Sequence, residues 1–325
     1  MNKETMAACA LPVLVIGSLN MDLVVTVCQL PQQGETVFGR NFATFPGGKG
    51  ANQAVAAAKL GARVTMVGCV GQDNFAAELL ESLRLAGVET SQVRSVTGKT
   101  TGVALITVAD KGVNTIVVVA GANQECNPGD VQAALAKTKN PGIVLLQNEV
   151  PPATVEYAIR TAGEQGWKVI YNPAPARTVD AGILGLVDIL TPNETELAAL
   201  TGMPVRSQQE AVAAGKKLLQ TGVKQIIVTM GAAGALLIAE RMVKAVPAIQ
   251  VQAVDSTAAG DCYTGAVAAG LAEGQPLETA LHFAAVAAGL SVTREGAQSA
   301  LPSKDAVEKY MRKKVKMYEK KWRAE

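Results

Sequence analysis

Histidine is almost absent from this sequence: His282, inside the Ala-rich stretch from Leu277 to Leu290, is the only one. Ser-His-Asp and Cys-His chemistry therefore rest on a single candidate, and a lone histidine on such a face is ordinarily a packed or capping residue. No Cys-x-x-Cys pair occurs either. The five cysteines (Cys9, Cys28, Cys69, Cys126 and Cys262) are odd in number and scattered, which argues for a reducing compartment and against structural zinc. Long apolar runs are missing too, and no stretch has the length and hydrophobicity to span a bilayer. The apolar start from Met6 to Gly17 lacks a basic lead and is interrupted by Pro12, so it reads as a ragged terminus running into a first buried strand, and the protein as cytoplasmic. Two nucleotide fingerprints fail. G-x-G-x-x-G starting at Gly48 needs glycine where Gln53 stands, and Thr97-Gly98-Lys99-Thr100 lacks its Walker glycine, because Val93 occupies that place. There is no internal repeat and no low-complexity linker.

What is present is a chain of 325 residues with 49% hydrophobic content, enough to bury one large core, and a single domain over 1–325 is expected. The formal charge of +2 is a property of the tail. Residues 309–325 carry eight basic and two acidic side chains, which leaves the body at about −4. Met311, Val315, Tyr318 and Trp322 recur there at helical spacing, so 303–325 reads as a basic amphipathic helix docked by its apolar stripe. Contact with nucleic acid or a membrane is not expected.

From about residue 124 onward, short β-rich runs (Ile143 to Gln147, Lys168 to Tyr171, Val187 to Leu190, Gln225 to Thr229) alternate with helical segments such as Pro152 to Gln165 and Gln208 to Thr221. That alternation predicts a mostly parallel sheet, doubly wound into three α/β/α layers, with ligands beyond the carboxyl ends of the strands. Val13 to Gly17, a helix from about Ala51 to Leu60, and Val64 to Val70 continue the scheme. Residues 21–45 and 101–119 do not: their alternating Val- and Thr-rich runs predict a small antiparallel sheet, placed as a lid over the strand ends.

Four segments carry chemistry. Phe45-Pro46-Gly47-Gly48-Lys49-Gly50-Ala51-Asn52-Gln53 enters a helix and offers bare backbone, an ammonium and amides; it is either a ligand cradle or a Gly-rich connector. Thr191-Pro192-Asn193-Glu194-Thr195-Glu196 opens a helix after a buried strand and suits a magnesium shell, phosphates or a plain helix start. Met230-Gly231-Ala232-Ala233-Gly234 is a glycine turn that admits a nucleotide or simply closes a hairpin. In Ala258-Ala259-Gly260-Asp261, small residues precede an acid at a helix entrance, where unpaired N–H groups favour anions. Asp261 is then a cap or a catalyst. Asn148-Glu149 adds a carboxylate at a strand end.

In this order, with Asn-Pro-Ala-Pro-Ala at 172–176, these segments resemble the ribokinase family of PfkB-type carbohydrate kinases, from about Val13 to Pro302. The resemblance implies ATP-dependent phosphorylation of D-ribose at its 5-hydroxyl, with Mg²⁺ accompanying ATP, activation by K⁺, and a homodimer joined through the lid. It implies sugar binding by Asn20, Asp22, Gly48, Lys49, Gly50, Asn52, Glu149 and Asp261. ATP would lie along Asn193, Thr229, Met230, Gly231, Ala232, Ala233, Gly234, Gly260 and Ala285, with Glu196 organising magnesium through water. Asp261 would be the general base, and the N–H groups of Ala258, Ala259 and Gly260 an anion hole. The potassium site would comprise Asp255, Thr257, Ser291, Arg294, Gly296 and Ala300.

Two departures stand out. Cys262-Tyr263-Thr264-Gly265 replaces the frequent Thr-Phe-Asn-Gly, which puts a thiol beside the base that is either reactive or buried and inert. Ala300 stands where a serine is common. Asn20 favours a substrate with a 2-hydroxyl, hence ribose over deoxyribose. The alternatives are a deoxyribokinase, fructokinase or adenosine kinase on the same scaffold, and, in another class, a non-catalytic sugar or nucleotide sensor.

Overall fold

Along the first strand, β1 (Pro12–Ile16), every residue is buried, and the side chains alternate between two cores: Val13 and Val15 join one, Leu14 and Ile16 the other. A strand buried on both faces belongs inside a sheet with helices on either side. The computed structural model describes residues 10–322, apart from the side chains of Lys111 and of 314–322.

After β1 the chain forms β2 (Asn20–Thr26), β3 (Asn41–Gly47), α1 (Lys49–Lys59), β4 (Arg63–Val70), α2 (Asn74–Leu85), β5 (Glu89–Ser95), β6 (Gly102–Val108) and β7 (Asn114–Val119). Then come α3 (Pro128–Lys137), β8 (Ile143–Leu146), α4 (Pro152–Glu164), β9 (Lys168–Tyr171), α5 (Ala181–Leu184), β10 (Ile189–Leu190), α6 (Glu194–Thr201) and α7 (Gln208–Leu219). The described chain ends with β11 (Gln225–Thr229), β12 (Ala235–Ala239), β13 (Met242–Val246), α8 (Ala259–Ala272), α9 (Leu277–Ser291) and α10 (Lys304–Trp322). Nine strands make one sheet in the order β13-β12-β11-β10-β9-β8-β1-β4-β5, antiparallel only among β11, β12 and β13. Helices α1, α2, α8 and α9 contribute to the core on one face and α3 to α7 to the core on the other, which gives the expected three layers. The chain first extends the sheet from β1 toward β4 and β5, then returns to build outward from β8. That reversal opens a crevice at the strand ends beside β1.

The lid is a separate sheet in the order β3-β2-β6-β7. It is not wholly antiparallel as expected, because β2 and β6 run parallel, in register from Asn20↔Gly102 to Thr26↔Val108. The reason lies in the main sheet. Strands β1 and β5 point the same way there, so the segments that leave their carboxyl ends, β2 and β6, head out together. The lid leaves Phe42, Leu105, Ile116, Val117, Val118 and Val119 exposed.

Helix α10 occupies the expected C-terminal position and packs Met311 against the core; the side chains of Val315, Tyr318 and Trp322 lie outside the described residues, as do Met6 and Cys9. His282 is exposed on α9, so it is not the packed or capping residue expected of it. Among the described residues no helix is long and apolar enough to cross a membrane.

Candidate active site

Two helices aim at the crevice. Helix α1 starts just past β3, and its N-cap Gly48 takes φ +88°, where an added Cβ would lie 2.7 Å from the Asn20 nitrogen; glycine is required there for both reasons. Helix α8 starts after Ala258, the only non-glycine residue with positive φ (58°) among the described residues. Such backbone persists only where its surroundings hold it, and it concentrates at functional sites. An added Cβ at Gly265 would come within 2.7 Å of both the Ala56 Cβ and the Gln53 carbonyl, so α1 and α8 are packed as closely as backbones allow.

This contact delivers two amides of α1 to the acid of α8. Asp261, only 7% exposed, accepts from Asn52 Nδ2 at 3.1 Å and from Gln53 Nε2 at 2.9 Å. Gln53 also donates to Asn172 Oδ1 at 3.0 Å and accepts from Gln147 Nε2 at 2.6 Å, while Gln298 Nε2 donates to Asn52 Oδ1 at 3.3 Å. The carboxylate is therefore held in one orientation by a buried amide network that spans α1, the ends of β8 and β9, and the segment before α10.

Around it lies a cleft of about 180 Å³ lined by Lys49, Asn172, Thr191, Asn193, Glu196, Thr229, Ser256 and residues 258–261. Four orphan N–H groups are inherent to a helix start. Here that of Ala259 turns back to the Ser256 carbonyl at 3.2 Å, whereas those of Ala258, Gly260 and Asp261 have no partner among the described residues. Of the three amides expected there, Ala259 is engaged, while that of Asp261 joins those of Ala258 and Gly260 in being free of backbone partners. Lys49 faces the same space. The negative charge of Asp261 holds its ammonium above the usual lysine range, against the effect of burial and with help from Glu149 and Glu196.

Also lining the cleft, Asn193 and Glu196 form a reciprocal capping box on α6, with both hydrogen bonds at 2.8 Å. Burial raises the Glu196 carboxyl, opposed by the Asn193 N–H and by Lys49. Thr229 bridges to Asn193 and lines the cleft. Met230, Gly231, Ala232, Ala233 and Gly234 form the hairpin between β11 and β12 just beyond it and do not line the cleft. Ala285 is 7% exposed within the core packing of α9, also outside the lining.

Toward the lid, Glu149 Oε2 accepts from the Lys49 N–H at 3.0 Å and from the Ser18 hydroxyl at 2.5 Å. Asp22 is pushed up to about 7, first by burial and then by the charges of Glu149 and Asp261. Asn20 is 3% exposed beside it, and Gly50 lies in the first turn of α1.

Of the residues implied for potassium none lines the cleft, and three of them are joined by hydrogen bonds. Asp255 accepts from the Thr257 N–H (2.9 Å) and hydroxyl (2.6 Å) and from the Gly296 N–H (2.9 Å). Burial pushes this carboxyl up, but those hydrogen bonds outweigh it and hold it below the usual range. The Ser291 hydroxyl donates to its own helix at Ala288, the Arg294 N–H bonds Ser291, and Ala300 is buried. Lys59 Nζ reaches the carbonyls of Gln298 and Leu301 at 2.9 and 3.3 Å. Cys262 is fully buried and burial pushes its thiol up to about 12, away from the nucleophilic thiolate form. The buried thiols of Cys69 and Cys126 cluster with Asp130, but Arg94 takes both oxygens of that carboxylate, at 2.7 and 2.9 Å.

Gln147, Gln298 and Asn123 were not singled out by the sequence, and Gln53 and Asn172 stood there only inside longer motifs, with no role of their own. The signals available were the place of Gln53 beside Asn52 in the Gly-rich segment and that of Asn172 at the head of Asn-Pro-Ala-Pro-Ala.

The model of the pfkB family of carbohydrate kinases matches residues 11–304. The ribokinase of Bacillus subtilis is 41% identical over 297 residues, covering 91% of this chain and 98% of that protein. A deoxyribokinase of Salmonella typhi is 40% identical over 298 residues, covering 91% and 97%. The structure of Arabidopsis thaliana ribokinase complexed with ribose and ATP superposes with a TM-score of 0.86 at 36% identity, covering 92% of this chain and 98% of that one.

Proposed function

The chain belongs to the pfkB family of carbohydrate kinases, and from that premise we propose that it transfers the terminal phosphoryl group of ATP to the 5-hydroxyl of D-ribose. One observation carries the reading: the Asp261 carboxylate, oriented by Asn52 and Gln53, stands beside unpaired amides at the start of α8 and shares its cleft with Lys49. The similarity to ribokinases over nearly the whole chain supports the choice of sugar.

In this reading Asp261 accepts the proton of the attacking hydroxyl as the new O–P bond forms and ADP departs. A carboxylate is too weak a base to ionise an alcohol beforehand, so the proton moves late and orientation of the oxygen dominates. The amides of Ala258, Gly260 and Asp261 and the Lys49 ammonium face the charge on the transferring group. Asn193, Glu196 and Thr229 flank the nucleotide phosphates, with the 230–234 hairpin beyond them. Glu196 and its neighbours offer the oxygen donors that Mg²⁺ prefers, and the ion neutralises phosphate charge. Asn20, Asp22, Glu149 and the start of α1 hold the sugar. The ionised Asp255 between two chain segments fits a nearby monovalent cation, which supports potassium activation. The exposed apolar residues of the lid support pairing with a second copy.

Deoxyribose is the second reading, favoured by the deoxyribokinase similarity. ADP release measured with ribose, 2-deoxyribose, fructose and adenosine at fixed Mg²⁺, with potassium titrated against sodium, tests both. Ribose is expected to give the highest kcat/KM, and absence of ADP release with every compound would favour a non-catalytic sensor.

A further inference from the structure

Asn123 lies in the short 3-10 segment Gly121–Glu125, 1% exposed, and 103 positions from Asn20. Its three hydrogen bonds leave no freedom in how its amide is turned. The Leu19 N–H can only donate, and it does so to Asn123 Oδ1 at 2.9 Å; the Leu19 carbonyl can only accept, and it receives Asn123 Nδ2 at 3.1 Å. Asn123 Nδ2 therefore also faces Asn20, at 2.8 Å, and what it meets must be an oxygen. The Asn20 amide is fixed in turn: Oδ1 points back to Asn123, and Nδ2, with two protons and no partner among the described residues, points away. An added Cβ at Gly102 would lie 2.2 Å from Asn20 Oδ1 and 2.3 Å from Asn123 Nδ2, so the neighbouring lid strand is bare at this point.

We infer that Asn123 is the positioning residue that makes Asn20 a pure hydrogen-bond donor toward the sugar, and that it thereby sets the preference for a substrate bearing a hydroxyl at that point over its deoxy analogue. This deepens the proposed function and rests on it. Asn20 and Asp22 are two apart on β2 and so share a face. A donor-only amide beside an acceptor carboxylate suits a hydroxyl that accepts from one and donates to the other or to its neighbour. A deoxy sugar leaves the Asn20 N–H groups buried and unpaired, and discrimination of this kind exceeds what a merely apolar pocket achieves. With Asn123→Asp, the bond from the Leu19 N–H is kept, but the second oxygen faces the Leu19 carbonyl and Asn20 Oδ1, and Asn20 turns its amide over to present the wrong end to the sugar.

The test is the ratio of kcat/KM for ribose to that for 2-deoxyribose in wild type, Asn123→Asp, Asn20→Ala and the double variant, with ribose binding followed by calorimetry and folding by thermal melting. The expected result is a ratio reduced at least about tenfold in Asn123→Asp, mainly through a higher KM and weaker binding of ribose, with KM for MgATP within about twofold. In the double variant the ratio should equal that of Asn20→Ala alone, because Asn123 acts only through Asn20. A ratio unchanged in a folded Asn123→Asp protein, or effects of the two substitutions that simply multiply, would overturn the inference. Should Asn123→Asp not fold, Asn20→Ala with the wild-type ratio unchanged overturns it as well. If wild type releases ADP with neither sugar and binds neither, the proposed function itself is wrong, a different outcome from wild-type discrimination that the variants leave intact.

Discussion

Gln53 Nε2 lies 2.9 Å from Asp261 Oδ1, joining the second turn's worth of α1 to the first turn of α8 across 208 positions of sequence. The same nitrogen bonds Asn172, and the other end of the amide is fixed by Gln147. Gln53 is fully buried with both ends of its amide engaged, so in the proposed reaction its part is to hold Asp261. A near-isosteric Gln53→Glu keeps the acceptor for Gln147 and replaces the donor toward Asp261 with a like charge. Loss of a hydrogen bond to a charged group is worth roughly 1.5–3 kcal/mol, so kcat is expected to fall roughly 10- to 100-fold. KM for ribose and ATP should change by less than about threefold, which steady-state kinetics checks.

Asp22 predicts a pH dependence of stability. Its carboxyl titrates at about 7 in the folded protein against 3.8 unperturbed, because burial, Glu149 and Asp261 disfavour the charged form. Between those values the folded state keeps a proton that the unfolded state has released. Its contribution to stability therefore declines as pH rises through this window and is least favourable above 7. Asp22→Asn removes the penalty. Ligand-free Asp22→Asn should melt higher than wild type at pH 8, with a smaller difference at pH 5; an equal difference at both would contradict the assignment.

Close packing of α1 on α8 gives a third expectation. An alanine at 265 would bring its Cβ to 2.7 Å from backbone and side chain of α1, so the helices must separate. Overpacking of this kind destabilises by about 1–3 kcal/mol. Because Asn52 and Gln53 ride on α1, Gly265→Ala should lower kcat as well as the melting temperature. Thermal melting and turnover on the same preparation test it, and a lowered melting temperature with unchanged kcat would detach the helix contact from the base.

The layers of the fold were legible because strands such as Lys168–Tyr171 and Gln225–Thr229 are short apolar runs whose ends the sequence marks with Asn172 and Gly231. The cleft was legible for a similar reason: Lys49, Asn193, Thr229 and residues 258–261 each follow a strand or open a helix. The parallel pairing of β2 with β6 was not, since strand direction depends on where β1 and β5 sit in another sheet. Nor were Gln53, Asn123, Gln147 and Gln298. A buried amide looks like any other glutamine or asparagine until its partner, more than 90 positions away, is known. His282 misled in the opposite direction: its Ala-rich neighbours suggest burial, yet it lies on the exposed face of α9.

The central claim is that the Asp261 carboxylate accepts the proton of the attacking sugar hydroxyl. Asp261→Asn keeps the size of the side chain and removes that capacity. Turnover of ribose with MgATP, followed by ADP release, should fall roughly 10²- to 10⁴-fold while calorimetric binding of ribose changes far less. Turnover within a few-fold of wild type in a folded Asp261→Asn protein would contradict the account.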